Sequence, residues 1–91
     1  MRLIHPGEIL KEELNSLSMS PSALAQHIGV PPNRICAIVN GRRSITADTA
    51  LRLSQCFGTS PEFWMNLQTS YEIKLARENN QIDILKINRI K

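Results

Sequence analysis

The residues of this chain best equipped for chemistry lie between Ser20 and Arg43, in SPSALAQHIGVPPNRICAIVNGRR. Asn33 carries an amide that can make a paired hydrogen bond to the N6 and N7 edge of adenine. Arg34 can reach guanine or a phosphate. Asn40 and the adjacent cations Arg42 and Arg43 suit backbone phosphates. Pro31, Pro32 and Ala37 offer apolar contact of the kind a thymine methyl accepts, and Cys36 reads as a small apolar filler among them. Ser20 and Ser22 stand where a helix begins, and helix N–H groups and dipole there favour anions. This inventory suits recognition of a polyanion rather than bond-making.

Two short helices joined by a tight turn must hold these groups. Ser20 can cap the first, with Pro21 in its first helical position. Leu24, Ala25 and Ile28 share one face, and Gly29 supplies the positive φ that ends the helix and turns the chain. Pro32 opens the second helix, whose inner face is Ile35, Ile38 and Val39, and Gly41 closes it. Successive residues step by about 100°, so Asn33, Cys36, Ala37 and Asn40 gather on the opposite, outer face. Ala25 is small where the second helix crosses. The layout is a helix-turn-helix, although a helical hairpin with no nucleic-acid role would share its spacing.

The flanking sequence repeats the same helix-start grammar. Met1–His5 is a short arm in which Arg2 is solvated, with a phosphate contact as the lesser option. His5-Pro6-Gly7-Glu8 begins a helix with a buried stripe of Ile9, Leu10, Leu14 and Leu17, and His5 reads as a structural hydrogen-bonding residue. After the Gly41–Ile45 loop, Thr46 caps a fourth helix with Asp48 in its first turn and Ala50, Leu51, Leu53 and Phe57 on its apolar side. Gly58 ends it. Ser60, Pro61 and Glu62 start a fifth helix running to about Glu78. Phe63, Trp64, Leu67, Tyr71 and Leu75 form its broad apolar face, which either finishes the core or supplies a dimer seam. Asn79-Asn80 breaks the pattern. Residues 79–91 form a tail with imperfect alternation: a short strand, a frayed helix or a segment that orders on a partner. Its isoleucines favour covering by another surface.

The fold class is therefore all-α, five helices in one domain over residues 1–78, followed by the 79–91 tail. The formal net charge of +3 permits nucleic-acid binding without requiring it. Few aromatic residues are available for stacking on single-stranded bases. Cys36 and Cys56 lie outside any metal-type spacing, which argues against a disulfide-framed secreted domain and for a reducing cytoplasm. Met1–Pro6 lacks a signal-peptide pattern, and no apolar run is long enough for a membrane span. His5 and His27 fit no metal motif such as HExxH, and no catalytic triad, phosphate loop or carboxylate pair stands out. No catalytic residue, metal or cofactor is expected.

Several stretches resemble one family closely. They are HPGE with Ile9-Leu10, Ala23-Leu24-Ala25 with Gly29-Val30, Asn33-Arg34-Ile35, Ile38–Arg43, Ile45–Leu53, and Phe57–Gln68 with its TSPEFW. Over about residues 4–76 the chain resembles the HigA antitoxin family, also called VapI-like, of the Cro/C1-type helix-turn-helix class. The resemblance implies a lambda-repressor-like fold and a homodimeric antitoxin of a type II module. Such a protein represses its own operon and neutralises a RelE-like (HigB-like) toxin that cleaves mRNA. The reading helix maps onto Pro32–Val39, with DNA contacts near Asn33, Arg34, Ala37, Asn40 and Arg43. Pro31 stands where related domains often carry a capping Ser or Thr, and Cys36 where a polar residue is common.

One protomer offers few base-reading groups, and a good paired contact gives roughly 1–3 kcal/mol of discrimination. A two-fold dimer on an inverted repeat, with half-sites about 34 Å apart or a multiple of that, would double them. Two other readings use the same residues. One is a stand-alone Cro/C1-type repressor without a toxin, and the other is a protein-binding helical scaffold.

Overall fold

The computed structural model describes residues 3–91; the expectation for Arg2 lies outside them. Among the described residues the regular elements are five helices: α1 Pro6–Ser16, α2 Pro21–Ile28, α3 Pro32–Val39, α4 Ala47–Phe57 and α5 Pro61–Leu85. No strand occurs among those residues, and no helix among them is long and apolar enough to cross a membrane.

Local chemistry sets the helix starts. Ser20 Oγ accepts from Ala23 N at 3.1 Å, Ser60 Oγ from Phe63 N at 3.1 Å, and Thr46 Oγ1 from Thr49 N at 3.4 Å. Each satisfies a donor that the helix geometry leaves open. At α1 the cap is His5: its Nδ1 accepts from Gly7 N at 2.9 Å, while Glu8 Oε2 accepts from His5 N at 3.1 Å. The histidine is thus structural, as its place beside a proline suggests. Gly29 has φ +75°, with Val30 N donating back to Ala25 O at 3.0 Å. This 6→1 closure ends α2 and drops Val30 into the core. The end of α1 closes identically, Met19 N donating to Leu14 O at 2.9 Å, but there Ser18 holds the positive φ of 52°.

The core joins Leu10 and Leu14 of α1, Leu24 and Ala25 of α2, Ile35 and Ile38 of α3, Ile45, Ala50 and Leu53, and Trp64 of α5. Ile45 is tied down twice: its side chain is buried, and its N–H donates to Gln68 Oε1 at 2.8 Å. Trp64 Nε1 donates to Thr59 Oγ1 at 2.9 Å, which satisfies its one polar group.

Three expectations change. Leu17 follows the last turn of α1 as its C-cap and is exposed rather than part of the buried stripe. Leu51 is 59 % exposed, because α4 turns Ala50 and Leu53 inward and Leu51 falls between α2 and α5. The fifth helix does not stop near Glu78 but continues through Asn79-Asn80 to Leu85. Asparagine in a helix costs only about 0.7 kcal/mol or less, and no glycine or proline follows to break it. Everything beyond Leu75 is exposed, so the helix runs past the body. The radius of gyration is 15.6 Å, against about 12 Å for a compact chain of this length.

Candidate nucleic-acid interface

α3 is held by its inner side and its C-terminal end. Ile35 and Ile38 are fully buried, with Val39 half-buried beside them. α1 crosses its C-terminal end so closely that a Cβ at Gly7 would lie 1.8 Å from Ile38 O. Only glycine permits that approach. The end of α3 is a complete Schellman closure. Gly41, at φ +74°, donates to Ile38 O at 3.0 Å, and Arg42 N donates to Ala37 O at 2.8 Å. The backbone carrying Arg42 and Arg43 is therefore fixed relative to the helix. His5 backs this turn, with its ring edge-on to Tyr71 of α5 at 4.8 Å and 70°. Burial lowers the His5 pKa below its ordinary 6.5, against an opposing pull from Glu8.

The outer side of α3 is the part left open. Pro32, Asn33 and Asn40 are exposed, as are Arg42 and Arg43; Cys36 and Ala37 are half-buried between them. Ser20 and Ser22, at the start of α2, are exposed too. The surface offers two amides, two cations and a shallow apolar strip on a rigid helix. It can donate to anions and to base edges. Among the described residues no cluster of His, Cys, Asp and Glu could hold a metal ion.

Arg34 projects sideways from the open face toward α4, where its Nη1 meets Asp48 Oδ2 at 2.9 Å. The same oxygen accepts from Arg52 Nε at 3.0 Å, and Arg52 Nη1 donates to Ile28 O at 2.8 Å. Hydrogen bonding from Arg52 is the main reason that the Asp48 carboxyl sits below its usual range, with Arg34 adding to it. The sequence places Asp48 only in the first turn of α4 and gives Arg52 no role. Their four-residue spacing is a readable helical pair; the bond across fourteen residues to Arg34 has no such signal.

The apolar face of α5 divides. Trp64 is 2 % exposed and belongs to this chain's own core, so it has almost no surface left for a dimer seam. Leu67, Tyr71 and Leu75 are half-buried, and Phe63 is exposed with its ring edge-on to Trp64 at 5.1 Å.

This architecture matches known proteins closely. The helix-turn-helix family matches residues 10–64, more than half of the chain. Virulence-associated protein I of Dichelobacter nodosus is 50 % identical over 82 residues, covering 89 % of this chain and 76 % of the relative. A solved addiction module antidote protein of the HigA family from Coxiella burnetii is 56 % identical over 100 % of both chains, with a TM-score of 0.96. The chain belongs to the HigA antitoxin family. Within that family, antitoxin HigA of Pseudomonas aeruginosa has been solved with the higBA promoter. It is 42 % identical, with a TM-score of 0.94, covering 99 % of this chain and 100 % of that one. The family match over residues 10–64 places the helix-turn-helix of this chain, α2 and α3, within that shared fold.

Proposed function

We propose that this chain is the antitoxin of a type II module and the repressor of its own operon, acting in the cytoplasm as a homodimer. One observation carries the reading: the chain matches, over nearly its whole length, a HigA antitoxin solved on promoter DNA, and its own α3 presents an open polar face. Asn33 is the base-reading residue, with Pro32, Cys36 and Ala37 lining the apolar strip beside it. Asn40, Arg42, Arg43 and the start of α2 at Ser20 and Ser22 take phosphates. Two protomers bind an inverted repeat, joined through Phe63, Leu67, Tyr71 and Leu75 of α5. The toxin partner is RelE-like and cleaves mRNA, and binding this chain silences it.

The toxin part is tested in cells. A reading frame for a small basic protein is expected beside this gene; expressing that protein should arrest growth, and co-expressing this chain should restore it. Arrest that this chain does not relieve would leave the stand-alone repressor reading. A promoter fused to a reporter tests the other part. The chain should repress its own upstream DNA, and a variant with Asn33→Ala and Arg43→Ala should not.

A further inference from the structure

The first turn of α3 lacks the usual means of fixing a helix start. Its N-cap is Pro31, which makes no side-chain capping bond, and Pro31 and Pro32 bring no N–H of their own. Yet this turn carries Asn33, and the N-terminal turn of a recognition helix is the one nearest the bases. A chain of bonds supplies the missing tether. Arg34, the next residue, reaches Asp48 in the first turn of α4; Asp48 holds Arg52; and Arg52 donates to the last carbonyl of α2, Ile28 O at 2.8 Å, and to that of the capping Gly29 at 3.4 Å. Three helices are thereby locked together at the turn of the motif.

We infer that Arg34, Asp48 and Arg52 form a positioning clamp that aims Asn33, and that Arg34 does not itself contact DNA. This rests on the DNA-binding reading above. Two observations set it against a direct contact. The Arg34 side chain is only 24 % exposed and shares its charge with a carboxylate at 2.9 Å. Its Nε is enclosed without a hydrogen-bond partner, so the guanidinium is placed by surrounding structure rather than held out to solvent.

The two roles predict opposite results. The full chain, Arg34→Gln, Asp48→Asn and the double variant are titrated with the duplex upstream of the gene and with a scrambled duplex, over a salt series. Circular dichroism melts establish folding. For a clamp, each single change lowers the preference for the upstream duplex about tenfold, the scale of one base contact. The double variant loses no more than either single, since the groups act as one unit. The salt slope stays at the wild-type value. A slope lowered by about one unit per protomer in Arg34→Gln would overturn the clamp, because that is the signature of a lost phosphate contact. So would tighter, still selective binding by Asp48→Asn, or additive losses.

If the neutral variants do not fold, Asp48→Glu decides the matter. It keeps the charge but shifts the carboxylate that Arg34 and Arg52 share. Lost preference at unchanged slope supports the clamp, because that carboxylate is no DNA contact, and retained preference overturns it. Wild-type protein that binds both duplexes equally overturns the DNA-binding reading itself, and the clamp with it; a selective wild type with a slope change in Arg34→Gln overturns the clamp alone.

Discussion

His5 closes the first turn of α1, lies against Tyr71, and backs the Gly41 turn where α3 hands the chain to Arg42. The cap needs an unprotonated Nδ1, and burial lowers the pKa accordingly. The sign follows from linkage. Below the ordinary value of 6.5 the unfolded chain binds more protons at this ring than the folded one does, so stability falls as pH drops through that value. The contribution is complete above it. Urea midpoints measured between about pH 7.5 and pH 5 should fall more in the wild type than in His5→Asn, whose amide keeps an acceptor but does not titrate. Equal falls would show that the ring does not carry the dependence. His5→Ala should cost about 1–2 kcal/mol at neutral pH through the cap alone. The structural role of this histidine is legible from HPGE because a capping bond is local. Arg34 is the contrary case. Its type and place suggest a DNA contact, and only the fold reveals Asp48 beside it.

At the scale of elements, the α1–α3 crossing turns on Gly7. An added methyl would meet Ile38 O, a backbone atom that cannot rotate away. Gly7→Ala should therefore destabilise the fold by about 1–3 kcal/mol, as overpacking does, and calorimetry would read it as a lower Tm. The end of α1 offers the reverse. Ser18 holds a left-handed φ that glycine adopts without strain, so Ser18→Gly should stabilise by about 0.5–1 kcal/mol. An unchanged or lower urea midpoint would argue against strain there. These two sites show what sequence patterns reveal about elements. Helix starts are readable at Ser20, Thr46 and Ser60, because an oxygen and a nearby N–H suffice. Ends are readable where glycine marks them, as at Gly29, Gly41 and Gly58. Ser18 gives no such mark, and Asn79-Asn80 looks like a break only because asparagine favours caps elsewhere. Leu51 and Trp64 illustrate the remaining gap: periodicity names an apolar face, but neighbouring helices decide which residues are covered.

At the scale of the molecule, the open face of α3 and the outer part of α5 lie in different regions of one chain. The first is polar and cationic; the second carries Ile82 and Leu85 and is followed by Ile87 and Ile90, with Ile90 98 % exposed. The buried core draws nothing from beyond Trp64 and Gln68. Removing residues 79–91 should thus leave the thermal midpoint of the remaining chain nearly unchanged, whereas Leu67→Asp should yield monomers by light scattering with weaker operator binding. Folded Leu67→Asp dimers of unchanged affinity would remove that residue from the seam. Domain organisation and helix count are legible at this scale because they follow from apolar spacing and caps. How the two surfaces are used is a matter of partners.

The most direct measurement is a salt-titrated binding curve to the DNA just upstream of this protein's own gene, with a scrambled duplex as control and the stoichiometry determined. With Arg42 and Arg43 on phosphates in each of two protomers, log K should fall by about three to four units per tenfold rise in salt, two chains binding each site and the upstream duplex preferred throughout. Equal, weak binding to both duplexes would contradict the account and leave α3 as a structural helix in a protein-binding scaffold.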